Sequence, residues 1–414
     1  MTFRKLLCTI LLILLACGIF FAGWYLLKDL DTEEIMANIA AQTSNKSTTE
    51  ADEDATEEAP TEVIASATQP ESITMAIYPY VSDPELFQNV LTEMWEEMET
   101  GVALKFMDWN CFSDPDPRNI DVITYNALFM EYLAEYGYIQ PLDMDFLDST
   151  ASIIPFAMEG SYYNGKLYAL PFQVSSYFLI HFADDEAMDK VNNFAELYEE
   201  LSSRVEEDSS DGLQIGYYDE LPYFYLDALT DYNGTYTTFE EIPEMDPLDE
   251  NVMARLNEIQ SIMAEINEGE YYLTNFTQWQ GSACYTFNED LYYMDDFVED
   301  LTIRPISFFN GKNIQLFYGD FASLSTQVTD PVQKEYCMKL INLIASEEFQ
   351  AHLCYGSGKL QYILPTRELV YLTASEEYPI YKTLYALATN GDNQIFRFGT
   401  QVYDYMDTAY EYLS

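Results

Sequence analysis

Residues 162–182 read YYNGKLYALPFQVSSYFLIHF. Asn164-Gly165 between two runs of β-forming residues is the strongest short hairpin signal. The sequence therefore predicts a strand, a tight turn and a second strand ending at Pro171. The SSYFLIHF that follows (175–182) reads as a chain leaving one lobe for another.

Upstream of this exit, strands and helices alternate. Ile73 to Tyr78 is a short β-type run, and Ser82-Asp83-Pro84 supplies a cap and a first-turn proline for a helix. Leu86, Phe87, Val90, Leu91, Met94, Trp95 and Met98 recur at helical spacing until Gly101. Val102–Met107 and Asp121–Tyr125 are further strands, the second followed by a helix over Leu128–Tyr136 that Gly137 closes. Such alternation indicates an α/β fold with a parallel sheet covered by helices. Ligands of these sheets sit at the carboxyl ends of strands, which here carry Tyr78, Tyr80, Trp109, Phe112 and Asn126. Downstream, helices are expected over Phe194–Ser202 and Asn251–Ile266. The chain returns through ACYTFNEDLYYM (283–294) and QLFYGDFASLS (315–325), and Thr329-Asp330-Pro331 opens a helix running to about His352.

Charge narrows the function. Eighteen Lys and Arg face 71 Asp and Glu, a formal net charge of -53. Nucleic-acid binding needs basic side chains against phosphates, so it is excluded as a role. Solubility explains most of the acid, and a cationic small ligand is compatible with it. The N-terminus reads Arg4-Lys5 and then an apolar run from Leu6 to Leu27, long enough to span a bilayer, which takes about 20 residues as a helix. Two basic residues before the run place the rest of the chain outside the cytoplasm. Residues 1–28 are read as a signal anchor, or as a lipoprotein signal with Cys17 in a Leu-Leu-Ala-Cys box, with simple secretion as a third option. Residues 29–72 are an acidic, self-repelling spacer too poor in apolar groups to fold. The body holds Cys111, Cys284, Cys337 and Cys354, and disulfides among them cannot be paired from spacing. With two histidines, His181 and His352, and no CxxC or HExxH, no metal site and no cofactor is expected.

An αβ lobe, a hinge after a G-x-x-YALP hairpin, a second lobe and a return resemble the type II periplasmic-binding-protein fold. Within it, eight ordered blocks resemble thiaminase I from Ile73 nearly to the C-terminus. They are AIYPYVSDPELF (76–87), DWNCFSDPDP (108–117), DVITYNALF (121–129), LPFQVSSYFLIHF (170–182), FNEDLYYM (287–294), RPIS (304–307) with LFYGD (316–320), YILPTRELV (362–370) and YPIYKTL (378–384). The resemblance implies a two-lobed domain over 73–414. Lobe I is expected at about 73–177 plus 283–316, and lobe II at about 178–282 plus 317–414. A monomer is expected.

The resemblance also implies a chemistry. The family cleaves thiamine at its methylene bridge and passes the pyrimidine to another nucleophile, using a cysteine, a proton-handling glutamate, and aromatic and acidic residues around the ring. By position the glutamate is Glu289, the LFYGD pair is Tyr318 and Asp320, and the first-strand tyrosines are Tyr78 and Tyr80. The cysteine position is Ser175, the acid after the third strand is Asn126, and two tyrosine positions are Phe112 and Phe287. Covalent catalysis by this route needs a thiolate, and a serine hydroxyl is far less acidic. His181 is six residues further along a strand, about 20 Å away, which does not support a Ser-His pair. Three functions follow: a thiamine-like binder that does not cleave its ligand, an active thiamine pyridinylase, or a receptor for an unrelated solute. A relocated nucleophile at Cys111 stands against the plainer reading of a small core residue.

The expected location is testable directly. The protein should sediment with membranes while external protease cuts the body in whole cells. Fatty-acid labelling that disappears in Cys17→Ser identifies the lipoprotein; a cytosolic protein overturns the export.

Overall fold

The computed structural model describes residues 68–215, 221–234, 247–264, 281–310 and 315–413. The expected signal or anchor (1–28) and most of the expected spacer (29–72) lie outside the described residues, which belong to one compact unit. None of the described helices is long and apolar enough to cross a membrane.

The first sheet is built from β1 (Ser72–Ala76), β2 (Ala103–Met107), β3 (Val122–Asn126), β4 (Ile139–Gln140), β7 (Ala169–Ser175), β12 (Leu316–Ser325), β13 (Leu364–Pro365) and β14 (Gln394–Ile395). Its main path runs β13-β7-β12-β3-β1-β2, with β4 and β14 also pairing β12. β1 is parallel to β2 and β3, whereas β12 is antiparallel to both β3 and β7. The small hairpin β5 (Tyr162–Tyr163) to β6 (Lys166–Leu167) turns through Asn164 and Gly165, at φ 49° and 73°. Two positive φ values are what a two-residue primed turn requires, and they explain the Asn-Gly pair. The strand after the turn stops at Leu167, and the chain then enters β7, which runs past Pro171 to Ser175.

The helix Pro84–Glu97 buries Phe87, Val90, Leu91 and Trp95, and Asp83 caps it by accepting from Leu86 N at 2.9 Å. The predicted helix from Pro331 to His352 is broken. It forms Pro331–Ile344, restarts at Glu347–Ala351 with Ser346 as a new cap, and ends in a π-turn over His352–Gly356. The Ser346 hydroxyl accepts from Phe349 N, which gives the chain a second start where helical periodicity alone reads through.

The second sheet is β11 (Leu301–Arg304), β8 (Tyr177–Phe182), β10 (Ala283–Phe287) and β9 (Leu213–Ile215), in that order. Helices Phe194–Glu207 and Glu250–Ser261 bury Phe194, Leu197, Leu201, Val252, Leu256 and Ile259. The lobe boundaries expected from sequence are corrected here. β10 and β11 pair with β8 in the second sheet, and β12 to β14 join the first. The chain leaves the first sheet after Ser175 and is back in it at Leu316. Alternation along a strand shows which residues share a face but not which sheet an antiparallel strand enters. The last helix, Val402–Leu413, packs against the helix Leu221–Asn233, where Tyr405 donates to Pro222 O at 2.8 Å.

Asp227, in the helix Leu221–Asn233, has its carboxyl pushed up to about 7 by burial and by the charge of Asp231. A raised carboxyl favours the protonated fold, so this group lowers stability as pH rises from the ordinary carboxylate range to about 7. Asp227→Asn should melt above the parent at pH 7.5, with the gap closing near pH 4. A parent and variant that melt together at both pH values overturn this.

Candidate functional site

The site lies where β3 and β7 end beside the first half of β12. Antiparallel pairing sets Asp320 of β12 opposite Asn126 of β3 on one side and Gln173 of β7 on the other. Residues directly opposite in such pairs project to the same face, with Cβ atoms about 5 Å apart. The three polar side chains therefore form one row, and two residues along β12 Tyr318 pairs with Ser175 in a second row. Asn126, Gln173 and Asp320 are buried, while Ser175 and Tyr318 are half-buried.

Aromatic residues flank the rows on both sides. After β1, Thr124 Oγ1 accepts from Tyr78 N at 2.8 Å and donates to Ala76 O, fixing the strand's exit. Tyr78 stacks on Phe112 at 6.2 Å, and Tyr80 meets both rings edge-on at 5.6 and 5.8 Å. Tyr78 is buried, whereas Tyr80 is 64% exposed, so these two tyrosines do different work. On the other side Phe287, at the end of β10, lies 4.1 Å from the Tyr177 ring and 5.3 Å from Tyr318. Tyr223 and Phe396 complete the wall around Tyr318 at 6.1 and 5.5 Å.

Glu289 follows β10 in the first turn of the 3-10 segment Asn288–Asp300, and it crosses to the first sheet. Gln173 Nε2 donates to Glu289 Oε1 and to Ser82 Oγ, both at 3.2 Å. Burial first, and then the charges of Asp290 and Asp320, hold the Glu289 carboxyl well above the usual carboxylate range. Burial alone does the same to Asp320, and burial raises Asp290 to about 6. This direction favours the protonated form of Glu289, in which one carboxyl oxygen donates. Burial also raises the Tyr78 phenol, reinforced by Cys111 and Asp320 and opposed by a hydrogen bond from Asn126.

All nine residues singled out from sequence sit around these rows. Three that contribute were missed. Gln173 lies inside a matched block but is neither an acid nor an aromatic. Tyr223 and Tyr371 come from helices, and Tyr371 is buried near enough to Glu289 to feel its charge. Neither histidine joins the site: His181 is buried in β8 with Nδ1 against Phe182 O, and His352 Nδ1 meets Glu348 O. Cys111, Cys284, Cys337 and Cys354 are free buried thiols. Among the described residues no group of three or more His, Cys, Asp or Glu could hold a metal ion.

No family model matches the chain. It is 31% identical over 359 residues to Thiaminase-1 of Paenibacillus thiaminolyticus, covering 83% of this chain and 87% of that one. Clostridium botulinum thiaminase I, solved in complex with thiamin, superposes with a TM-score of 0.77 at 28% identity, over 82% of this chain and 98% of that one. The GacH receptor of Streptomyces glaucescens, at 16% identity and a TM-score of 0.59 over 83% and 94%, shares the fold alone. Two sheets joined beside a row of strand-end side chains define an α/β protein of the type II periplasmic-binding-protein kind. The relationships narrow that class, and the chain belongs to the thiaminase I family.

Burial raises the Cys111 thiol, opposite to the direction that activates a cysteine nucleophile, as expected of a core residue. Brief iodoacetamide treatment of the folded protein at pH 8, mapped by mass spectrometry, should leave Cys111 unmodified until denaturant is added. Rapid native alkylation there overturns the assignment.

Proposed function

We propose that this chain binds thiamine, or a related aminopyrimidine or cationic heteroaromatic, and does not cleave it. The observation that carries the reading is Ser175 at the end of β7, opposite Tyr318 and beside Gln173, where the family places its cysteine. A serine hydroxyl needs a strong base to attack a ring, and burial biases the candidate base, Glu289, toward its protonated form. Two rings of aromatic residues and two carboxyls remain, which suit a flat, electron-poor, cationic ligand. The relative solved with thiamin supports that ligand class. We further place the body outside the cytoplasm on the strength of the Leu6–Leu27 run.

Asp320 is the group that meets the cation. A bound cation favours its ionised form, so capture releases a proton and affinity rises with pH as the carboxyl ionises. A charge-assisted hydrogen bond is worth about 1.5–3 kcal/mol, so Asp320→Ala should weaken binding roughly tenfold or more. Calorimetry with thiamine and with its pyrimidine and thiazole halves, in two buffers of different ionisation enthalpy, measures both effects. No binding below millimolar overturns the ligand class and favours an unrelated solute.

Turnover is tested by thiamine loss with pyridine or aniline as acceptor. The unmodified protein should show none above background, and clear turnover makes it an active thiamine pyridinylase instead. Ser175→Cys, alone and with Asn126→Asp, should restore slow turnover if the remaining machinery is intact; each tenfold of rate recovered is about 1.4 kcal/mol of barrier.

A further inference from the structure

Besides the Tyr371 hydroxyl, two oxygens in the site have no hydrogen-bond partner among the described residues: Gln173 Oε1 and Glu289 Oε2. Both are buried, and their residues are bonded to each other through Gln173 Nε2 and Glu289 Oε1. Buried polar atoms in folded proteins are normally satisfied, so two orphans on residues bonded to each other mark a place where something else binds. Turning the amide over does not remove the problem. It would aim the Nε2 group, with two N–H donors, at the position where one acceptor now stands. Gln173 is only 2% exposed and cannot swing out to water. Its anchor is local: the register of β7 against β12 shifts by one residue between Asp320 and Phe321, leaving Phe172 as an extra residue. Phe172 packs into the core at 5.5 Å from Phe87, while the Gln173 amide stays on the row with Asp320. Bulges of this kind commonly re-aim a side chain beside a functional site.

We propose that Gln173 is a specificity-determining residue: its Oε1 accepts a hydrogen bond from an exocyclic amine on the ligand's ring, beside the ring atom that faces Glu289 Oε2. The ligand class is an aminated six-membered nitrogen heteroaromatic, and the inference rests on the reading of the site as a thiamine-like binder. Burial favours the protonated form of Glu289, in which the pair presents an acceptor next to a donor. That pattern complements a primary amine next to an unprotonated ring nitrogen.

The test is calorimetry on the full chain with thiamine and with a thiamine analogue whose pyrimidine amine is replaced by hydrogen. The parent should prefer the amine by about tenfold or more, because the analogue leaves a buried acceptor unpaired. Gln173→Met, close to glutamine in volume, should bind both ligands within about twofold of each other, since it has nothing left to satisfy. Gln173→Glu keeps an acceptor and should keep the preference, which separates hydrogen bonding from filled space. Circular dichroism checks that each variant folds. A methionine variant that retains the preference, or a parent that binds both ligands equally, overturns the role of Gln173 alone. If the methionine variant does not fold, loss of preference in Gln173→Glu overturns it. A parent that binds neither ligand overturns the functional reading itself, and this inference with it.

Discussion

Strand β12 runs antiparallel between β3 and β7, and it hydrogen-bonds to both through the residues that carry the site. Because side chains alternate with a period of two, this register alone decides that Asp320 faces Asn126 and Gln173, and that Tyr318 faces Ser175. A slip of one residue would send Gly319 and Phe321 to the ligand side and bury two polar groups in the core. The surrounding packing holds the register firmly. Phe317 and Phe321 are fully buried, and Ser323 donates to Tyr168 O at 2.8 Å while bonding the Tyr125 hydroxyl at 2.7 Å. The aromatic walls, the crossing to the second sheet and the place of Glu289 all depend on that central strand.

Electrostatics then gives the rows their character. Burial raises the carboxyls of Glu289, Asp290 and Asp320, the charges of the other two add to the rise at Glu289, and none of the described ion pairs involves any of them. Cations are scarce in this chain, and several are committed elsewhere. Arg304 donates to Val191 O and Met188 O, and Arg367 to Ala345 O and Ser149 O at 2.6 and 2.7 Å. Those guanidinium groups staple loops through backbone carbonyls and leave the site acids uncompensated. Acids grouped in this way without a counter-charge hold their protons to higher pH than exposed carboxyls do.

Much of the first sheet was legible because its signals are local. The Asp83 cap, the Asn164-Gly165 turn and the glycine stops each act within a few residues, and the structure forms elements there. The block residues were legible by resemblance, and their convergence around the strand ends follows from the shared fold. The return strands were not legible. Nothing within QLFYGDFASLS distinguishes pairing with β7 from pairing with β8, since both are apolar neighbours with similar alternation. Gln173 was missed for a related reason. Its meaning lies in the partners brought to it, Ser82 from 91 residues upstream and Glu289 from 116 downstream, and in an oxygen left without one.

The crossing between the sheets is laced by three buried side chains. Ser176 N donates to Asn288 Oδ1 at 3.0 Å, Ser176 Oγ donates to Leu316 O at 2.6 Å, and Gln315 Nε2 donates to Ser176 Oγ at 2.6 Å and Tyr177 O at 2.8 Å. Further bonds join the two parts of the chain elsewhere, Gln173 to Glu289, Asn288 to Tyr362 O and Tyr405 to Pro222 O. Ser176 is nevertheless the knot: its backbone and hydroxyl together touch Asn288 before the return, Gln315 at the return and Leu316 in the strand that re-enters the first sheet. Removing that one hydroxyl would leave Gln315 and the Leu316 carbonyl each short of a partner. The smallest residue of the crossing thus joins three separate stretches of sequence.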